Sequence, residues 1–259
     1  MYRATRPQLI YLIIFLIISF KCFSFFVGDS MVQSLSEENW QKMKTYLTVS
    51  NDLRKKSQLI CVSRQIIRQL GTPFIDYDWD IELFDNPDAN AFALAGGKIG
   101  VYSGIFDLIK NEDELAAIIG HEIAHITKAH SKNDANRKII LGIGAAVVNA
   151  PTRNESTNSQ TSIQTMAQFI SSYGLNLPFE RLQETEADRE GLRLMAKAGF
   201  NPLASLDFWK KMEEQEETQK IEFLSTHPLY KNRRKIIAND LEEPLGIYLS
   251  QRANKQCMF

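Results

Sequence analysis

The chain has 259 residues, 44% of them hydrophobic and 24% charged, with a formal net charge of −1 at pH 7. This is ordinary globular composition, long enough for one large domain, or one domain with extensions, around a buried core. A balance this close to neutral, with no basic patch interleaved with aromatics, gives no footing for a nucleic-acid partner.

The N-terminus is compositionally distinct. Arg3 and Arg6 precede an apolar run from Leu9 to Phe20; Lys21 interrupts it, and Phe23-Ser24-Phe25-Phe26-Val27 follows. A basic start and an apolar core of about 7–15 residues describe a secretory signal peptide, here with a cut after Ser24. A spanning helix needs about 20 apolar residues, and Leu9 to Val27 reaches that length if Lys21 snorkels. Residues 1–24 are therefore read as a signal peptide or an N-terminal membrane anchor, with cleavage favoured, and 25–259 as the folded domain. Either fate places the domain outside the cytoplasm or beyond an organelle membrane. None of the three cysteines, Cys22, Cys61 and Cys257, forms a C-x-x-C pair, so zinc-ribbon and thioredoxin readings fail. Cys61 and Cys257 can pair in an oxidising compartment, with two unpaired thiols the favoured reading.

Ser36-Glu37-Glu38 looks like a helix start with Ser36 as N-cap, followed by Trp40, Met43 and Leu47 at helical spacing. Leu59, Val62, Ile66, Ile67 and Leu70 outline a second helix that stops at Gly71 and Pro73. From Ile81 the pattern changes. Ile81 to Phe84 reads as a strand, Asp85-Asn86-Pro87-Asp88 as a turn, and Ala91 to Ala95 with Lys98 to Tyr102 as a hairpin about Gly96-Gly97. Beyond Asn111 the reading is helical: Glu112 to about Ser131, the apolar Arg137 to Asn149, Glu180 to Lys197, Pro202 to about Gln219, and a last helix after Pro228. The run of about ten residues from Ile139 to Val148 is too short to span a bilayer. The polar stretch 151–165 is read as a mobile loop.

His121-Glu122-Ile123-Ala124-His125 carries the chemistry. Residues four apart share a helix face, so His121 and His125 can bind one zinc ion. Glu122, about 100° round the helix, lies beside such an ion rather than on it, suited to take a proton from zinc-activated water. A catalytic zinc needs a third protein ligand and one open position. His130 lies about 180° from His121 on a continuous helix and cannot join without a break. The three-histidine pattern also needs Gly at 128 and His at 131, where this chain has Lys128 and Ser131. His130 is thus a surface residue or a partner of a ligand. The other source of ligands is Glu184-Thr185-Glu186-Ala187-Asp188. Glu184 and Asp188 share a face, where one carboxylate can bind zinc and the other can hold a ligand histidine; a solvated acidic face is the ordinary alternative.

These motifs, with Asn90-Ala91-Phe92-Ala93, Gly96-Gly97 and Ser225-Thr226-His227-Pro228, resemble the zinc peptidases of the CAAX prenyl protease and HtpX (peptidase family M-48). The likeness runs from about Phe84 to Arg234 and is strongest to the soluble, BepA-like envelope members, without their repeat domain. It implies a mainly helical α+β gluzincin fold with a small sheet beside the active-site helix. It implies one zinc on His121, His125 and Glu184, with Glu122 as general base and Asp188 holding a ligand histidine. His227 would stabilise the oxyanion or cap the zinc, with Arg233 as helper. Asn90, Ala91, Phe92 and Ala93 would lie along an edge strand that takes extended substrate. The implied substrates are unfolded or misfolded envelope polypeptides, in the periplasm or the mitochondrial intermembrane space. A non-proteolytic binder with a permanently capped structural zinc is the rival, but it leaves Glu122 without a task. A prenyl-peptide processing enzyme is a second rival, and it lacks the further membrane helices expected of it.

Overall fold

The computed structural model describes residues 28–134, 179–216 and 221–257. The expected signal or anchor segment 1–24, the 137–149 helix and the 151–165 loop lie outside the described residues. Among those described, no helix is long and apolar enough to cross a membrane.

Helix α1 (Asp29–Tyr46) starts seven residues before the expected Ser36, because Val32 extends the apolar stripe of Trp40 upstream. Ser36 is therefore an interior residue, and its acidic neighbours merely resemble an N-terminal turn. Helix α2 (Leu53–Ile67) starts at Asp52, whose side chain accepts a hydrogen bond from Lys55 N. Strands β1 (Asp80–Phe84), β2 (Ala91–Leu94) and β3 (Lys98–Tyr102) form one sheet in the order β1-β3-β2. β2 and β3 are the expected hairpin, antiparallel with Phe92 opposite Gly100, and β1 runs parallel to β3. The hairpin turns on Gly96 and Gly97, both at positive φ (83° and 89°), which glycine adopts without strain. Period-two alternation splits the sheet's side chains. Leu83, Ala91, Ile99 and Val101 join the main core, whereas Phe84, Phe92, Leu94 and Tyr102 surround Trp40 of α1.

The main core is built on helix α4 (Glu112–Thr127), which follows the short α3 (Ile105–Leu108). Asn111 caps α4, its side chain accepting from Glu114 N, and Glu112, Asp113 and Glu114 meet the positive end of the helix dipole. From Leu115 to Ile126 almost every α4 residue is buried, the two histidines and Glu122 included. Helix α5 (Arg181–Lys197) packs against it, opened by a capping box of Glu180 and Gln183. Gly120 of α4 faces Gly191 of α5. A Cβ at Gly120 would come within 2.8 Å of Gly191 O, and one at Gly191 within 2.9 Å of His121 N. Only two glycines let the backbones approach this closely, and this contact brings α5's carboxylates to α4's histidines.

Helix α6 (Ala204–Glu216) is followed by the short α7 (Phe223–Thr226), α8 (Arg233–Asn239) and α9 (Glu242–Gln251). The single last helix expected after Pro228 is thus two, parted at Asp240 and Leu241. The chain's end folds back on α2. Cys257 is disulfide-bonded to Cys61 across 196 residues, where unpaired thiols were favoured. The pairing is fixed by tertiary proximity, which residue spacing does not report. Buried Gln65 fastens the same tail, accepting from Gln256 N at 3.1 Å. The architecture is the mainly helical α+β fold with a small sheet expected of a gluzincin.

Candidate metal centre and active site

His121 and His125 lie one turn apart on α4 with their Nε2 atoms 3.0 Å from each other. Glu184 enters from α5, with Oε2 3.5 Å from His121 Nε2 and Oε1 3.3 Å from His125 Nε2. His227, held just after α7, completes the group: its Nδ1 is 3.2 Å from His121 Nε2 and 3.1 Å from Glu184 Oε1. All four side chains are buried.

The set fits a zinc ion by its own dimensions. Zinc bonds of about 2.0–2.1 Å at tetrahedral angles separate neighbouring donors by about 3.3 Å, the spacing seen here. Nitrogen and carboxylate donors turned toward one point, without enough hydrogens between them to bond each other, are what a cation would satisfy.

Charge is arranged to match. Burial pushes the His125 imidazole down to about 3, so it is neutral and able to ligate. Burial alone would raise Glu184, but His227, Arg233 and His121 hold its carboxyl well below the usual range. Glu122 is likewise kept ionised against its burial, chiefly by His227, whose Nε2 lies 3.2 Å from Glu122 Oε1. Burial disfavours a charged His227, yet Glu122 and Glu184 together raise it to about 10. It sits between two carboxylate oxygens, Glu122 Oε1 at 3.2 Å from Nε2 and Glu184 Oε1 at 3.1 Å from Nδ1.

Each of the two candidate ligand histidines has a neighbour at its other nitrogen. His121 Nδ1 is 3.0 Å from Asp188 Oδ1. Arg233 then binds Asp188 through two bonds of 2.9 Å, from Nε to Oδ2 and from Nη2 to Oδ1. Its Nη1 reaches Glu184 Oε2 at 2.7 Å, and its guanidinium lies 3.5 Å over the Trp209 ring. At 1% exposure Arg233 is a buried charge made tolerable by two carboxylates. Its donors face these carboxylates and the His227 and Pro228 carbonyls.

His125 is supported differently. The expected helix through Ser131 ends at Thr127. Ala129 takes a left-handed conformation (φ 52°), and the chain is helical again from residue 130. That conformation costs a non-glycine residue about 1–2 kcal/mol. The break turns His130 back against His125, Nδ1 to Nδ1 at 2.9 Å, with 1% of His130 exposed. Of the two sequence readings, the surface residue is excluded: His130 is buried against His125. Phe179 stacks on the His125 ring, with the ring centroids 3.9 Å apart.

The remaining expected residues lie on the sheet. Ala91, Phe92 and Ala93 belong to β2 and Asn90 precedes it; Ala91 and Ala93 face the core, and β2 packs on α4. Among the described residues β2 pairs only with β3, which leaves its outer edge open. Sequence reasoning missed Gly191, Phe179 and Trp209. Only Gly191 leaves a signal: a glycine inside a helix costs about 1 kcal/mol, so its presence asks for a packing reason.

A sequence profile of Peptidase family M48 matches residues 53–240. The chain belongs to peptidase family M48. The mitochondrial metalloendopeptidase OMA1 of Schizosaccharomyces pombe is 36% identical over 170 residues, 65% of this chain and 48% of that protein. The metalloprotease LoiP of Escherichia coli is 26% identical over 204 residues, covering 78% and 77%. The beta-barrel assembly-enhancing protease of the same species is 29% identical over 226 residues, covering 80% and 45%. This M48 chain spans about half or less of the length of the OMA1 proteins it matches. The matched region holds every residue of the site, from Asn90 to Arg233.

Proposed function

We propose that the chain is a zinc-dependent endopeptidase that hydrolyses peptide bonds in unfolded or damaged proteins of the cell envelope. The convergence of His121, His125 and Glu184 beside an ionised Glu122 carries this reading. Those three residues would hold the ion, which when bound would supply a Lewis acid and lower the pKa of water. Glu122 would accept a proton from the attacking water on its carboxylate and return it to the leaving amine nitrogen. Asp188 fixes the His121 tautomer by accepting from Nδ1–H, and Arg233 holds Asp188 and Glu184 in place. Substrate lies extended along the outer edge of β2, Asn90 to Ala93, bonded chiefly through its backbone, which makes cleavage tolerant of sequence.

The position of His227 favours a resting form. A catalytic zinc keeps one coordination position open, and His227 Nδ1 stands at the fourth corner of the donor set. In this conformation His227 would therefore cap a bound ion. Residues 1–24 direct the domain, 25–259, to the periplasm or, in a eukaryote, the mitochondrial intermembrane space, cleaved or retained as an anchor. The Cys61–Cys257 disulfide supports such an oxidising location.

Casein cleavage by the purified protein tests the reading. Wild type or His227→Ala is expected to cleave, with His227→Ala the faster, and Glu122→Gln to be at least about a thousandfold slower, the scale of losing an essential proton-transfer group and its field. Equal cleavage with and without Glu122, or none by wild type and His227→Ala alike, would overturn it.

A further inference from the structure

His130 has no task in the chemistry above, yet the chain bends to reach it. On a continuous helix it would point away from the metal site. Ala129, left-handed without being glycine, reverses that direction and seats His130 in the interior, 1% exposed. Strain of this kind persists where the surrounding structure requires it and marks functional segments. What His130 meets there is the rear nitrogen of His125, with His125 Nδ1 2.9 Å from His130 Nδ1. Its own far nitrogen, Nε2, is 3.2 Å from Glu186 Oε2. Lys128, inside the same break, reaches Glu186 Oε1 at 3.6 Å and Glu190 Oε2 at 3.5 Å.

We infer that His130 is a positioning residue for the metal ligand His125, and that Glu186 anchors it, forming a His125–His130–Glu186 chain. The inference rests on the metal-centre reading proposed above. An ion on His125 Nε2 requires the ring hydrogen on Nδ1. That Nδ1–H donates to His130 Nδ1, which must then be the bare nitrogen of a neutral ring. The hydrogen of His130 is left on Nε2 and donates to Glu186 Oε2. One tautomer of each ring satisfies every contact, and it presents His125 Nε2 as a lone pair toward Glu184 and His121. Phe179 stacked on His125 and the His130 bond at its edge together fix both tilt and rotation of the ring. Ligand-orienting partners of this kind are worth about 10–100-fold in metal affinity.

The test is the zinc dissociation constant of the full-length protein, by competition with a chromophoric chelator. The variants are His130→Ala, His130→Asn and Glu186→Ala. Asn places an acceptor oxygen where His130 Nδ1 stands, so it separates hydrogen bonding from mere filling of space. His130→Ala is expected to weaken zinc by about 10–100-fold. His130→Asn should restore affinity to within about threefold of wild type, and Glu186→Ala, at a half-exposed residue, should weaken it about threefold, a fraction of the ligand-partner effect. Should His130→Ala not fold, His130→Leu takes its place, keeping volume without an acceptor. Wild-type affinity in His130→Ala or His130→Leu, or an Asn variant as weak as either, would overturn the inference. Zinc binding with no cleavage by wild type and His227→Ala alike would sink the peptidase reading and leave this contrast readable; wild type that binds no zinc would sink the metal centre itself.

Discussion

The two candidate ligand histidines are held by opposite strategies. Behind His121 the supports are buried, charged and drawn from packed helices: Asp188 of α5 and Arg233 of α8, with Trp209 of α6 against the guanidinium. Behind His125 the support runs outward, through neutral His130 to Glu186 and Lys128 at the surface, and depends on a strained turn. The inner side cannot move without unpairing charges in a low dielectric, whereas the outer side rests on contacts that water can replace. The outer half of the site is therefore the more easily displaced.

The largest contrast should come from removing the central charge of each side. Arg233→Leu leaves Asp188 and Glu184 buried without their cation and should destabilise the fold by about 3–5 kcal/mol, read from urea unfolding. A cost below about 1 kcal/mol would mean that the inner network is solvated and that the comparison fails. Lys128→Ala removes the outer cation, which is one-third exposed and 3.6 Å from Glu186. It should cost no more than about 1 kcal/mol. A loss on the scale of Arg233→Leu would show that the surface end is as rigid as the buried one.

What could be read in the sequence follows from the range of each interaction. The His121–Glu122–His125 group, the Glu184/Asp188 pair and the β2–β3 hairpin are written in spacings of one to four residues, which the helix and strand periods translate directly into geometry. The start of α1 was misplaced because Ser36-Glu37-Glu38 carries capping chemistry wherever it stands, while burial of Val32 is a tertiary fact. The break at Ala129 was invisible because no glycine or proline marks it, and without it the direction of His130 could not be known. The Gly120–Gly191 contact joins residues 71 apart and Cys61–Cys257 joins residues 196 apart; no local pattern encodes such pairings. Arg233 is expected from the sequence as a helper of His227; only the packing of α8 on α5 and α6 reveals its bonds to Asp188 and Glu184.

The central claim is that α4 and α5 together build one metal site in which ligand and base are separate residues. The most direct measurement is zinc bound per chain at equilibrium, by titration of metal-free wild type, Glu122→Gln and Glu184→Gln. About one equivalent in wild type and in Glu122→Gln, with at least about tenfold weaker binding in Glu184→Gln, is the expected result. Undiminished zinc affinity in Glu184→Gln, or loss of zinc in Glu122→Gln, would contradict it.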